Sequence, residues 1–184
     1  MLFRSPAGGL SVAGGADVVP VLNVETERAL AAGATLAYTQ DWHPAHTPHF
    51  AGDGGVWPPH CVQGTWGAEL HPGLAVRGPV VRKGANGEDG YSGFTMRDAV
   101  TGRTVPTELD AMLRRAGVRR VVVAGLATDY CVKATALDAA RLGYDTAVLL
   151  EGIRAVDLKP GDGEAALAEL AAAGVRLAGR AAAG

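Results

Sequence analysis

The sequence is sparing with cysteine, with aromatic residues and with histidine, and it contains no long apolar run. Two cysteines, Cys61 and Cys131, among 184 residues exclude a disulfide-stapled scaffold and leave both thiols free for chemistry in a reducing compartment. No stretch approaches the roughly 20 apolar residues needed to cross a bilayer. The opening MLFRSPAGGL lacks the apolar centre of a secretory leader, so a cytoplasmic address is expected. Neither sign of charge dominates, with 17 Lys and Arg against 19 Asp and Glu. No basic stripe or lysine-rich run offers a phosphate footprint for nucleic acid.

What is present is one domain's worth of apolar sequence, 48% of residues, arranged as alternating strands and helices. ADVVPVLNVETERALAAG has apolar residues at helical spacing and stops at Gly33. ATLAYTQ reads as a short strand, and LAVRGPVVRKG as another that Pro79 interrupts. TELDAMLRRAG is an amphipathic helix, and VRRVVVAGLA is the β-branched run of a buried parallel strand. CVKATALDAARLGY is helical, DTAVLLEG is a strand, and GEAALAELAAAG with VRLAG closes as helix and strand. Strands separated by helices imply βαβ units, hence an α/β fold on a parallel sheet whose sites form where strands end and helices begin.

Two stretches carry chemistry. In AGLATDYCVKAT, Cys131 follows a buried strand at the start of a helix. There the helix dipole and free N–H groups favour a thiolate and can hold an oxyanion. The competing reading is a small apolar residue in the core; Cys61 lacks the strand-to-helix context and is read as structural.

In QDWHPAHTPHF, residues 40–50, three of the five histidines fall within eleven positions. The D-x-H spacing of Asp41 and His43 puts a carboxylate and an imidazole on one face of an extended segment. Prolines can return His49 to the same point, and His60 arrives on WPPHC. Three imidazoles and a carboxylate suit zinc, iron or manganese, whereas loop histidines are also common on plain surfaces. His46 is the rival ligand, and His71 is expected in solvent.

DWHPAHTPHF, WPPHCVQGTWGAEL, VVRKG followed by YSGF, and GLATDYCVKATALDAARLGYDTAVL resemble, in that order, the nicotinamidases and pyrazinamidases of the isochorismatase-like cysteine hydrolase superfamily. The resemblance implies a three-layer α/β fold with helices on both faces of a parallel sheet, as a single domain over residues 1–184. It also implies hydrolysis of nicotinamide to nicotinate and ammonia through a cysteine thioester, a step of NAD salvage. Asp41, His43, His49 and His60 match the metal ligands, with zinc expected and iron or manganese as alternatives. Cys131 matches the nucleophile and Lys83 the active-site lysine, although a lysine ending an apolar run is otherwise commonly a snorkelling surface cation. Ala127 and Cys131 would supply oxyanion N–H groups, with a cis peptide at Leu126–Ala127 beside the substrate. Phe3, Trp57 and Tyr91 match aromatic pocket positions. The partner implied is a small pyridine or pyrazine carboxamide, and homo-oligomers occur in the family.

In one respect the chain departs from the pattern. Family members begin with an apolar strand ending in an aspartate that serves as general base, and MLFRSPAGGL matches only from Phe3 onward. The expectation is a sheet that lacks its first central strand and that aspartate, with catalysis weakened. The alternatives are a non-catalytic homologue that binds metal and a pyridine carboxamide, or a cysteine hydrolase acting on another amide.

Overall fold

The computed structural model describes residues 10–98 and 100–179. Helix α1 (Val18–Ala31) is followed by β1 (Tyr38–Asp41) and, after a long loop region, β2 (Val80–Lys83). A hairpin of β3 (Thr95–Arg97) and β4 (Thr104–Pro106) precedes α2 (Leu109–Arg115). Then β5 (Arg120–Leu126), a turn at Thr128–Val132, α3 (Lys133–Arg141), β6 (Asp145–Arg154), α4 (Asp162–Ala172) and β7 (Arg176–Ala178) complete the order. The β3–β4 hairpin was not anticipated: its strands are three residues each, too short for any periodicity to register.

β5, β6 and β7 form a parallel sheet in that order, and β1 pairs in parallel with β2. Ahead of β1, residues Ala34 to Ala37 do not join the ladder. Tyr38 N–H bonds the Pro79 carbonyl, and pairing starts at Val80 because Pro79 has no N–H to give.

Helices cover both faces. On one, Val123 and Val148 pack with Val132 and Ala136 around α3 and with Leu170 of α4. Gly163, Ala166 and Leu170 recur at helical spacing as the buried stripe of α4. Burying Leu170, which is 0% exposed, contributes about 2 kcal/mol. On the other face Val18, Val19 and Leu22 of α1 pack with Leu126 and Ala127. Pro20 is tolerated in α1 because it lies in the first turn, where N–H groups have no helical partner.

Among the described residues no strand joins β1 to β5. Between them lies a cavity of about 350 Å³, lined by Ala37, Tyr38 and Thr39 on one side and by Val121 to Leu126 on the other. Each strand pairs with its neighbour along one edge and turns the other toward this trench. Among the described residues, no helix is long and apolar enough to cross a membrane.

Candidate active site and metal centre

The register of β1 and β2 sets Asp41 beside Lys83 at the carboxyl ends of both strands. The two side chains are buried and ion-paired, as charges removed from water must be. Lys83 Nζ also donates to the Gly90 carbonyl at 2.7 Å and lies 3.5 Å from Cys131 Sγ. Burial works against the ammonium, but Asp41 and Cys131 outweigh it and hold the Lys83 pKa above its ordinary value.

The loop after β1 folds back on itself. His43 N–H bonds the Cys61 carbonyl at 3.0 Å, Gln63 N–H bonds the His43 carbonyl at 2.8 Å, and Ala51 N–H bonds the Trp57 carbonyl at 2.7 Å. Two glycines permit the fold. A Cβ on Gly55 would sit 2.3 Å from the His49 carbonyl, and one on Gly84 would sit 2.5 Å from the His43 ring. The result is a group of His43, His49 and His60 whose donor atoms lie within 4.8 Å of one another. The His43 and His49 rings stack at 4.7 Å, and His60 stands 5.3 Å from each.

These imidazoles are disposed for ligation. Neither ring nitrogen of His43 has a hydrogen-bond partner although both are buried, a costly state that a bound cation would relieve. Burial lowers the His60 pKa and, against the opposing pull of Asp41, drives that of His43 down to about 4, so both hold the neutral form that binds metal. Asp41 turns one oxygen to Lys83, and the other lies 3.9 Å from His43 Nε2. Lys83 in turn reaches Cys131, so Asp41 joins the histidine group to the Lys83–Cys131 pair. Three nitrogens and a shared carboxylate fit a borderline divalent cation.

The low His43 pKa has a thermodynamic sign. The unfolded chain takes a proton near pH 6.5, whereas the folded ring resists it until about pH 4. Stability is therefore full above 6.5 and falls as pH drops through that window. Thermal melts in chelator are expected to shift downward from pH 7 to pH 4.5, less so in His43→Asn; equal slopes in the two proteins would contradict this.

Cys131 lies in the Thr128–Val132 segment, a π-type turn rather than the regular helical start that the sequence suggests. Such turns are frequent at functional sites. The Leu126–Ala127 peptide is cis. The half-buried Cys131 thiol is pushed up by burial while the Lys83 ammonium pulls it back. Desolvation is thus a larger influence on this thiol than the sequence reading allowed. Cys61 is only 3% exposed and is likewise pushed up by burial. Iodoacetamide is expected to label Cys131 well ahead of Cys61, and Lys83→Ala to slow that labelling. Equal rates at the two thiols would remove the case for Cys131.

Cys131, His49, His60 and Asp41 open on one small cavity walled by Trp57, Tyr91 and Tyr130, with Leu10, Gly90, Ala127 and Val156 completing it. The Trp57 ring meets Tyr130 edge-on at 5.0 Å, and Trp57 Nε1 donates to the Tyr91 hydroxyl at 2.8 Å. The three rings touch one another and turn flat aromatic surface to the cavity, the kind of face a planar ring packs against.

The isochorismatase domain family matches residues 2–182. The chain belongs to the isochorismatase family. It is 39% identical over 188 residues to the nicotinamidase of Escherichia coli strain K12, with 92% of this chain and 86% of the relative covered. The pyrazinamidase of Pyrococcus horikoshii in complex with zinc superposes with a TM-score of 0.83 at 36% identity, covering 95% of this chain and 91% of that one. PnC1 from L. infantum in complex with nicotinate gives a TM-score of 0.82 at 39% identity, covering 97% and 87%.

Within this family member, Asp41, His43, His49, His60, Lys83, Ala127, Cys131, Trp57 and Tyr91 are brought together as described. Leu126 is not at the small cavity; its side chain is buried against α1 and borders the trench. Phe3 lies outside the described residues. His46 points away, its ring 89% exposed and 3.4 Å from Asp53. His71 is half-buried, its Nδ1 accepting from Gly73 N–H at 3.1 Å. Sequence reasoning missed Leu10, Tyr130, Val156 and Asp89, whose Oδ1 lies 2.8 Å from His49 Nδ1. Asp89 had a readable signal: it precedes Tyr91 by two residues, the spacing that shares a face in extended chain.

Proposed function

We propose that the chain hydrolyses nicotinamide, or a close analogue such as pyrazinamide, to the acid and ammonia through a Cys131 thioester. We assign zinc to Asp41, His43, His49 and His60, and a reducing cytoplasm suits the free thiol. The observation that carries the reading is the one cavity on which Cys131, His49, His60 and the aromatic walls of Trp57, Tyr91 and Tyr130 converge. Relatives and structural neighbours named nicotinamidase or pyrazinamidase, one with zinc and one with nicotinate, support it.

A planar ring packed against Trp57, Tyr91 and Tyr130 would turn its carboxamide toward Cys131 Sγ. The cation, when bound, supplies a Lewis-acidic anchor for a ring nitrogen. The sulfur gives up its proton and adds to the carboxamide carbon, and the resulting oxyanion takes N–H donors from Ala127 and Cys131. The C–N bond then breaks, and nitrogen leaves as ammonia with that proton. Water attacks the thioester, releasing the acid and restoring the thiol. The Lys83 ammonium stabilises negative charge at sulfur throughout.

A second reading, binding of metal and carboxamide without turnover, is favoured by one observation. Among the described residues the only carboxylate lining the cavity is Asp41, which Lys83 already engages. Ammonia release from nicotinamide separates the two: release supports hydrolysis, and calorimetric binding without release supports the second reading. Elemental analysis is expected to find one divalent metal per chain, lost in His43→Ala. Stoichiometric metal in that variant would refute the ligand assignment.

A further inference from the structure

We infer that Asp89 is a positioning residue that fixes the ring of His49 for ligation, an inference that rests on the metal reading above. An imidazole presents one nitrogen steadily to a cation when its ring is held in place, and a partner on the second nitrogen, where there is one, decides which keeps its proton. The three histidines meet this need in three different ways.

His60 Nδ1 lies 2.8 Å from the Pro58 carbonyl. A carbonyl only accepts, so Nδ1 carries the proton and Nε2 keeps its lone pair. His43 is fixed by shape: its ring is 1% exposed and lies against Gly84, where a Cβ would come within 2.5 Å. His49 has neither device. Its Nδ1 lies 2.8 Å from Asp89 Oδ1, a buried oxygen with no other hydrogen-bond partner among the described residues; a carboxylate only accepts, so a proton on Nδ1 facing it would leave Nε2 as the donor atom. The carboxylate adds charge as well, making the imidazole a stronger ligand than a carbonyl partner would.

Asp89 is itself held in place. Its backbone pairs with Arg97 at the end of β3 through two hydrogen bonds, N–H to carbonyl in each direction. The side chain therefore reaches His49 from a fixed point in the short hairpin, which gives that hairpin a role in the site. The pair His46 and Asp53, at 3.4 Å with the ring 89% exposed, shows that a carboxylate near a histidine is not sufficient. What distinguishes Asp89 is that its partner is buried and belongs to the three-histidine group.

The test is zinc affinity, measured by competition with a chelator on the full chain and on Asp89→Ala and Asp89→Asn, with melting in chelator as the check on folding. Removing such a partner typically weakens metal binding about 10- to 100-fold. Asp89→Ala is expected to lose affinity within that range. Asp89→Asn, whose amide oxygen can still accept from Nδ1, is expected to fall between Ala and the parent. Should the alanine variant fail to fold, the asparagine variant decides, since it keeps the volume and the backbone pairing. Parent-like zinc affinity, within twofold, in whichever of these variants folds overturns the inference and leaves the metal site standing. A parent chain that takes up no zinc overturns the metal reading and the inference with it.

Discussion

A chain extended ahead of Met1 by an apolar strand ending in aspartate is expected to hydrolyse nicotinamide about 10²- to 10⁴-fold faster than the 184-residue chain, the usual contribution of a positioned general base. The expectation rests on the trench between β1 and β5. Its two walls are strand edges, its lining is largely apolar, and Cys131 borders it as well as the small cavity. A strand inserted there would run alongside both walls and deliver its last side chain toward the carboxyl ends, where Lys83 and Cys131 meet. A carboxylate there would take the proton that burial otherwise keeps on Cys131. Rates of ammonia release from the two forms decide it, alongside amide hydrogen exchange in β1 and β5, which should slow in the extended form. Slower exchange without a faster rate would mean that the strand docks but that Asp41 already suffices as base. No change in either would mean that the trench is not a strand site.

Replacement of Cys131 by alanine is expected to lower hydrolysis by at least about 10⁴-fold, in whichever form is active. Losing the nucleophile removes the covalent route entirely, and what survives is only what binding and oxyanion donors can provide. The change should leave metal content alone, because Cys131 is not among the three grouped histidines. That separation is informative. Loss of rate with metal retained assigns chemistry to the thiol, while joint loss of both would point to collapse of the turn at Thr128–Val132. A rate within tenfold of the parent would refute the thioester route.

The chain by itself determined the local pieces and the chemical inventory. Helical spacing in ADVVPVLNVETERALAAG and GEAALAELAAAG, and the β-branched run VRRVVVAGLA, marked α1, α4 and β5 because one-sided burial imposes a period that sequence displays directly. The D-x-H spacing and the proline-stiffened loops singled out the histidines that do converge, since few donors in a histidine-poor chain leave few alternatives.

Tertiary structure decided everything that depends on distance between segments. The bond from Lys83 to Asp41 arises from strand register, and the nearness of Asp89 to His49 joins residues 40 positions apart. Neither is encoded in any local pattern. The same holds for the Cys131 thiol. Its position beside a helix start argues for a lowered pKa, yet burial, a property of the assembled fold, pushes it the other way. Local sequence sets which groups are available and how each backbone segment bends. Desolvation and charge pairing act through space, and packing between distant segments sets them.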